Sequence, residues 1–468
     1  MIDWLARAQE KQAELVALTG RLMCIDSTED MKTANLSQDI PYGKGPREVL
    51  DEVLAIGQSK GFAVKDFKGR VGRVEMGSKG EIVGILTHLD VVPPGEGWNT
   101  DPFVPIVKNG YLHGRGVIDD KGPTVAALLA MELVRQEVSD MNRRVHLIMG
   151  CNEETGMDCM HYYVENVPDL PALGVTPDNS FPVIFGEKGI LQTAFSGFYS
   201  GPVISLRAGI RPNVVPNLAE ASVSIGARDP AALEHAFARF LQENRLTGKI
   251  EMGDSVCNLT INGVSCHSQQ PEDGVNAASA MLRCIGTLFD DPTCRTLGAL
   301  FSPCDGSGLG IAATGRHMKS LTCSLGLLSI ENWKVSATVD IRYPNECNDT
   351  MLMEKIRMRL KDEDIGLTAH QNSNTPPLFI PPDDPFIQLL LSAYQEITGD
   401  MQTPPGVTGG GTYARLFERH VAFGPIFPQR TPPCEGVGTL HQPNEAMRVD
   451  ELVMLCAIYA KLIYELVK

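Results

Sequence analysis

Two kinds of apolar run alternate in the first third of the chain. EIVGILTHLDVV (81–92) and VHLIMGCNEE (145–154) are nearly continuous, as expected of strands buried on both faces. Between them PTVAALLAMELVRQ (123–136) reads as a helix with Pro123 in its first turn. FPVIFGEKG (181–189) adds another strand. Strand, helix and strand at this spacing predict a βαβ unit and a largely parallel sheet. Upstream, Trp4, Leu5, Ala8, Leu15, Leu18 and Leu22 fall at helical spacing, which predicts one amphipathic helix over 3–23, with a second over 45–60.

Beyond residue 190 the pattern changes. ASVSIGA (221–227) reads as a strand before a helix over 230–244, and NLTINGVSCH (258–267) as a strand with an Asn-Gly turn. A helix over 274–289 follows, and then 291–328, rich in Gly, Pro, Ser and Cys, shows only weak periodicity. KVSATVDIRYP (334–344) alternates like a half-buried strand, with a helix after it over 349–361. This is α+β character, with sheets covered on one face. Pro376, Pro377, Pro381 and Pro382 mark a return linker. The first style then resumes, with a helix over 385–397, a Gly-rich turn, a strand near 420–424 and a last helix over 450–467 with Asp450 as its N-cap. The expected organisation is a discontinuous domain, 1–188 and 383–468, with an inserted domain over 189–382. No repeats interrupt it.

Composition removes some function classes. Lys and Arg number 41 against 57 acids, a formal net charge of −16, which opposes general nucleic-acid binding and docking on an anionic membrane. No apolar run reaches the length of a membrane span, since the longest candidate, 452–460, ends at Lys461. MIDWLARAQEK is charged throughout and is not expected to be a secretory signal. The 12 cysteines include no C-x-x-C pair, and several lie in apolar runs. Buried free thiols in a reducing cytoplasm are the expectation.

Five segments carry candidate chemistry. His88-Leu89-Asp90 ends a buried strand, so His88 and Asp90 project to one face. A carboxylate beside an imidazole is the usual support of a metal-binding His, although the triplet alone also fits a satisfied core histidine. Asp119-Asp120 sit in the glycine-rich turn GRGVIDDKGP before a helix. They could bind a cation or merely cap that helix. Asn152-Glu153-Glu154-Thr155-Gly156 follows a strand directly. There one glutamate could bind metal while the other acts as general base, or both could face solvent. Thr176-Pro177-Asp178 adds an acid and GTLHQPNE adds His441. Jointly, His88, Asp119, Glu154, Asp178 and His441 form a nitrogen and oxygen set suited to zinc, manganese or cobalt. Five ligands exceed one tetrahedral zinc with an open position, and they fit two ions sharing a carboxylate, about 3.5–4 Å apart.

In order, THLDVVPPGEGW, GRGVIDDKGP, NEETG, TPD, GVSCHS with GVNA, VDIRYP, GGGTYAR and GTLHQPNE resemble the M20 family of metallopeptidases, in particular its PepV-like and carnosinase-like dipeptidase branch. The resemblance implies an α/β fold: a mostly parallel-sheet, two-metal catalytic domain with an inserted α+β lid domain. It implies that His88 and Asp178 bind one ion, that Glu154 and His441 bind the other, and that Asp119 bridges them, with a cis peptide between Asp119 and Asp120. Asp90 would support His88, and Glu153 would be the general base. In the lid, His267 would reach the oxyanion, aided by Asn217. Arg342 would hold the substrate's terminal carboxylate in a bidentate fork, with backbone N–H groups of Gly410 and Gly411 and the Thr412 hydroxyl. Cys266 stands where the family more often has a small residue, and 291–328 match less tightly.

The implied activity is hydrolysis of dipeptides by a metal-bridging water that Glu153 activates, with two divalent ions, zinc first and manganese or cobalt as alternatives. The expected partner is the dipeptide itself, with no nucleic acid and no membrane. The chain would be a cytoplasmic monomer, with a dimer through the lid as the alternative. Two other readings compete: an N-acyl amino acid deacylase of the same family, which would prefer an acylated α-amine, and a non-catalytic metal- or peptide-binding protein on the same scaffold, against which Glu153 speaks.

Overall fold

The run at 81–92, predicted as a strand buried on both faces, forms Ile82–His88, buried along its whole length, in a computed structural model that describes residues 2–363, 365–428 and 436–468. Arg144–Gly150 and Leu173–Thr176 flank it, both parallel, and His420–Ala422 continues parallel beyond Leu173–Thr176. The rims are antiparallel. Val71–Met76 pairs with Arg144–Gly150 and then with Ala63–Phe67, while Ile184 pairs with Ala422 at the other side. The sheet is therefore mixed, with the predicted parallel character confined to its centre. Helix Lys121–Glu137 provides the crossover between two parallel strands. It is buried over most of its length and packs against helix Val449–Val467.

Two predicted helices are amended. The one expected over 3–23 is two, Trp4–Glu10 and Gln12–Met23. Lys11 N–H donates to Ala8 O and closes the first with a tight turn, while Lys11 Nζ pairs with Glu14 and Glu132. Apolar spacing continues across the break and so does not record it. The N-cap of the last helix is Arg448 rather than Asp450, which lies in the first turn. Arg448 N–H donates to Glu451 Oε2 at 3.4 Å.

The chain forms two compact units. One comprises Met1–Gly186, Ile380–Gly406 and Gly411–Lys468, and the other Glu187–Phe379 and Val407–Gly410. Residues 407–410, expected with the second part of the discontinuous domain, group with the inserted unit. That unit is built on an eight-stranded antiparallel sheet in the order Thr247–Met252, Val256–Asn262, Leu218–Ser224, Val203–Ala208, Thr322–Glu331, Lys334–Tyr343, Gly189–Phe198 and Thr368–Thr375. Leu218–Ser224 alternates exposed and buried residues, the pattern of a sheet covered on one face.

Asn262-Gly263 is not a hairpin turn. The strand ends at Asn262, and Gly263 N–H donates to Asn217 O. A Cβ on Gly263 would stand 2.0 Å from Val275 O, so the glycine serves a close backbone approach. The weakly periodic stretch 291–328 contains helix Pro292–Phe301 and most of strand Thr322–Glu331. Asp291 caps that helix by accepting Cys294 N–H at 2.6 Å, and the Asp-Pro pair was its local signal. All 11 cysteines among the described residues are free. No helix among those residues is long and apolar enough to cross a membrane.

Candidate metal centre

Three strands of the parallel centre deliver acids and an imidazole from their carboxyl ends, where open α/β sheets place ligands. His88 terminates Ile82–His88, Glu153 and Glu154 follow Arg144–Gly150, and Asp178 follows Leu173–Thr176. Asp119 comes from the turn before helix Lys121–Glu137, and its peptide bond to Asp120 is cis. The two acids have different partners. Asp119 turns to the imidazoles, whereas Asp120 Oδ2 accepts His88 N–H at 3.2 Å and the Asp120 carbonyl accepts the Thr124 hydroxyl.

The Asp119 carboxylate lies between two rings. Its Oδ1 is 2.6 Å from His88 Nε2 and its Oδ2 is 2.9 Å from His441 Nε2. His441 Nε2 is also 3.1 Å from Glu154 Oε1. Burial alone would raise the Asp119 pKa, but the His88 and His441 rings overcome it and hold the carboxyl well below its ordinary range. His441 sits in left-handed backbone, at φ 60°, on an exposed loop. Behind it, Glu445 and Arg115 form a fully buried pair at 2.6 Å, and Glu445 Oε1 also accepts Ile118 N–H at 2.9 Å. The turn bearing Asp119 and the loop bearing His441 are thereby joined.

Asp90 acts differently from expectation. Its carboxylate is 3.6 Å from His88 Nδ1, beyond hydrogen-bond reach, and its backbone carbonyl meets that nitrogen instead, at 2.9 Å. The two carboxylate oxygens accept the backbone N–H of Glu153 at 3.0 Å and of Glu154 at 3.1 Å. Asp90 therefore steadies the ring through its main chain and the paired glutamates through its side chain.

Donor atoms of His88, Asp119 and Glu154 lie within 4.8 Å of one another, and so do those of His88, Glu153 and Asp178. Glu153, expected as a base, thus also stands at ligand distance. Asp90, Asp119, Asp120, Glu153, Glu154 and Asp178 lie around His88, and Asp119 and Glu154 also meet His441. Desolvation, followed by the charge of Asp178, pushes Glu153 well above the usual carboxyl range. Desolvation and then Asp119 push Glu154 up. Buried acids that repel one another this way are stabilised by cations, and the nitrogen and oxygen donors fit a divalent transition ion.

The remaining predicted residues are placed as follows. Thr412 is buried, and its Oγ1 accepts Ala414 N–H at 3.2 Å. A Cβ on Gly411 would stand 2.6 Å from the Arg415 guanidinium carbon, so a larger residue there would displace that side chain. In the inserted unit, Gly410 N–H donates to Thr408 Oγ1 at 3.1 Å. His267 is exposed, and its Nδ1 accepts Gln269 N–H at 3.1 Å. Asn217 is exposed, with its carbonyl on Gly263. Arg342 is buried, and the fork expected for a substrate carboxylate here holds Asp340, through Nε at 2.5 Å and Nη2 at 3.2 Å. Arg342 Nη1 donates to Gly409 O at 2.8 Å and Nη2 to Ser268 Oγ at 3.4 Å.

Sequence reasoning passed over Arg115, Glu445, Asp340 and Tyr413, although each lies inside a quoted motif. The Tyr413 hydroxyl meets Cys159 Sγ at 3.0 Å, and its ring stands edge-on to His88. A Cβ on Gly150 would lie 2.1 Å from the Tyr413 oxygen.

Fold and site define an α/β protein with a carboxylate and imidazole cluster at the carboxyl edge of its sheet. The chain belongs to peptidase family M20: the profile described as "Peptidase family M20/M25/M40" matches residues 84–465. It is similar to the "Putative dipeptidase" of Staphylococcus epidermidis, at 32% identity over 99% of both chains. Among solved structures it is similar to human carnosine dipeptidase 1, with TM-score 0.55 and 15% identity over 99% of this chain and 98% of that one. It is also similar to the di-peptidase Dug1p of Saccharomyces cerevisiae, with TM-score 0.56 and 12% identity over 99% and 98%. The protein is accordingly an enzyme, a peptidase.

Proposed function

We propose that the protein is a dipeptidase dependent on two divalent metal ions. The observation that supports this most directly is the Asp119 carboxylate between His88 and His441, at 2.6 and 2.9 Å, with Glu154 beside it. Asp119 would bridge the ions, His88 and Asp178 would complete one coordination set, and Glu154 and His441 the other. Zinc is the first choice, with manganese or cobalt as alternatives. When bound, such a pair polarises the scissile carbonyl and lowers the pKa of water.

The chain's own residues carry the proton and the substrate. Glu153 takes the proton of the attacking water and returns it to the leaving amine. Asp90, on the backbone of Glu153 and Glu154, orients both side chains. His267 offers a hydrogen bond to the developing oxyanion and is assisted by Asn217. Four of the five guanidinium hydrogens of Arg342 have partners, so the terminal carboxylate would receive the remaining Nη1 hydrogen. Gly411 N–H and the Thr412 hydroxyl would complete that end. The free thiols fit a reducing cytoplasm, and a monomer is the proposed state, with a dimer through the inserted unit as the alternative outcome of a light-scattering measurement.

A panel of dipeptides, assayed with metal-stripped enzyme and after adding Mn²⁺ or Zn²⁺, tests the reading. Activity should appear only with metal and should vanish when the α-amine is acetylated. Preference for the acetylated compounds would mark a deacylase instead, and inactivity on both sets would mark a binding protein.

A further inference from the structure

The chain segment after His267 lines a cavity of about 390 Å³ in the inserted unit. Gln269 and Glu272 form one wall, Thr408 and Gly409 another, and Lys188 and Lys319 contribute two ammonium groups. Lys188 is buried, and its Nζ donates to Ser320 O at 2.5 Å. Lys319 is exposed and sits in left-handed backbone, at φ 58°. Burial lowers the Lys188 pKa. Glu272 opposes the shift, and the charges of Lys319 and Arg342 add to it. Two ammonium groups therefore line this space against one carboxylate, and the nearby Arg342 charge is already matched by Asp340.

The place of the cavity identifies what could enter it. Gln269 N–H donates to His267 Nδ1 at 3.1 Å. On the far wall Gly409 O accepts Arg342 Nη1 at 2.8 Å. A Cβ on Gly409 would approach Gln269 Cβ to 2.8 Å, so the two walls are packed together. The cavity thus adjoins both the residue assigned to the scissile carbonyl and the residue assigned to the terminal carboxylate. In a dipeptide, one residue joins those two groups, and its side chain is the branch that leaves between them.

We propose that this cavity is the side-chain pocket for the carboxyl-terminal residue of the substrate, and that Lys319 and Lys188 select an acidic side chain there. The inference rests on the dipeptidase reading. Kinetics on Ala-Glu and Ala-Gln, close in shape and different in charge, test it with the Mn²⁺-loaded full chain. Ala-Glu should exceed Ala-Gln about tenfold in kcat/KM, mainly through KM, as expected for one charge-assisted hydrogen bond. Lys319→Met should lower that ratio severalfold, with Lys188 retaining the rest, and Lys319→Arg should preserve it. A wild-type ratio at or below one, or a ratio that Lys319→Met leaves unchanged, overturns the pocket while the dipeptidase reading stands. If only N-acetyl-Glu and N-acetyl-Gln are cleaved, the dipeptidase reading falls and the ratio within that pair decides the pocket. Cleavage of none of the four overturns both.

Discussion

Asp90 separates two duties between its main chain and its side chain, and the separation makes a mutational prediction. Asn at this position keeps the backbone carbonyl on His88 Nδ1 but has only one acceptor oxygen for the N–H groups of Glu153 and Glu154. Asp90→Asn should lower kcat/KM by about 10–100-fold, the usual effect of a lost outer-shell partner. A variant within twofold of wild type would show that the carboxylate does not position the glutamates. Glu153 stands within reach of both a base's role and a ligand's. Glu153→Gln should cut turnover by about 10²–10⁴-fold while metal analysis still finds two ions per chain. One ion per chain would make Glu153 a ligand. The spacing of His88 and Asp90 announced a supported imidazole. It did not announce the Asp90 grip on residues 153 and 154, because that contact depends on the conformation of a turn far along the chain.

Elements show the same division. The nearly continuous apolar runs became buried strands of the parallel centre, since burial on both faces demands such composition. Besides His88, two histidines ride on the strands of that centre. His146 lies within Arg144–Gly150, and burial, followed by the Arg73 charge, lowers its pKa to about 4. His420 begins His420–Ala422, and burial lowers it to about 4 against a hydrogen bond from its Nδ1 to Glu418 O. Both rings are neutral above about pH 6.5 in folded and unfolded chains. Between about 6.5 and 4 the unfolded chain binds protons that the fold refuses, so stability falls as pH falls through that window. Urea midpoints measured from pH 7 to 4.5 should decline, and His146→Gln should make the decline shallower. An unchanged slope would assign the decline to other groups. His420 also crowds two glycines: a Cβ on Gly84 would come within 2.8 Å of its Nε2, and one on Gly174 within 2.6 Å of it and within 2.1 Å of Gly84 O. The Asn-Gly at 262–263 misled for the complementary reason, since a glycine needed for close approach looks in sequence like one needed for a turn.

At the scale of the molecule, Arg115 and Glu445 join segments 330 positions apart. Both are buried. Glu445→Ala leaves a guanidinium without its partner and should destabilise the fold by about 3–5 kcal/mol in urea denaturation, whereas Arg115→Met with Glu445→Met should recover much of that loss. Equal losses in the single and double variants would deny the pair its role. Metal has a parallel effect on the crowded acids. At about 100 times its Kd a bound ion adds about 2.7 kcal/mol, so chelation should lower Tm and Mn²⁺ should restore it. A Tm indifferent to both would remove the ions from the fold. By itself the sequence determined the strand and helix order around the βαβ unit, the change of style beyond residue 190, and the acids and imidazoles to be gathered. These follow from periodicity and residue chemistry, which are local. The tertiary structure alone decided the antiparallel rims, the seat of residues 407–410 in the inserted unit, the Asp340 grip on Arg342 and the cationic cavity beside Gly409. Most of these join residues tens to hundreds of positions apart, and the grip of Asp340 on its near neighbour Arg342 is set beside the distant Gly409 and Ser268 that the same guanidinium meets. Spacing along a chain carries no record of which distant surfaces will be buried together.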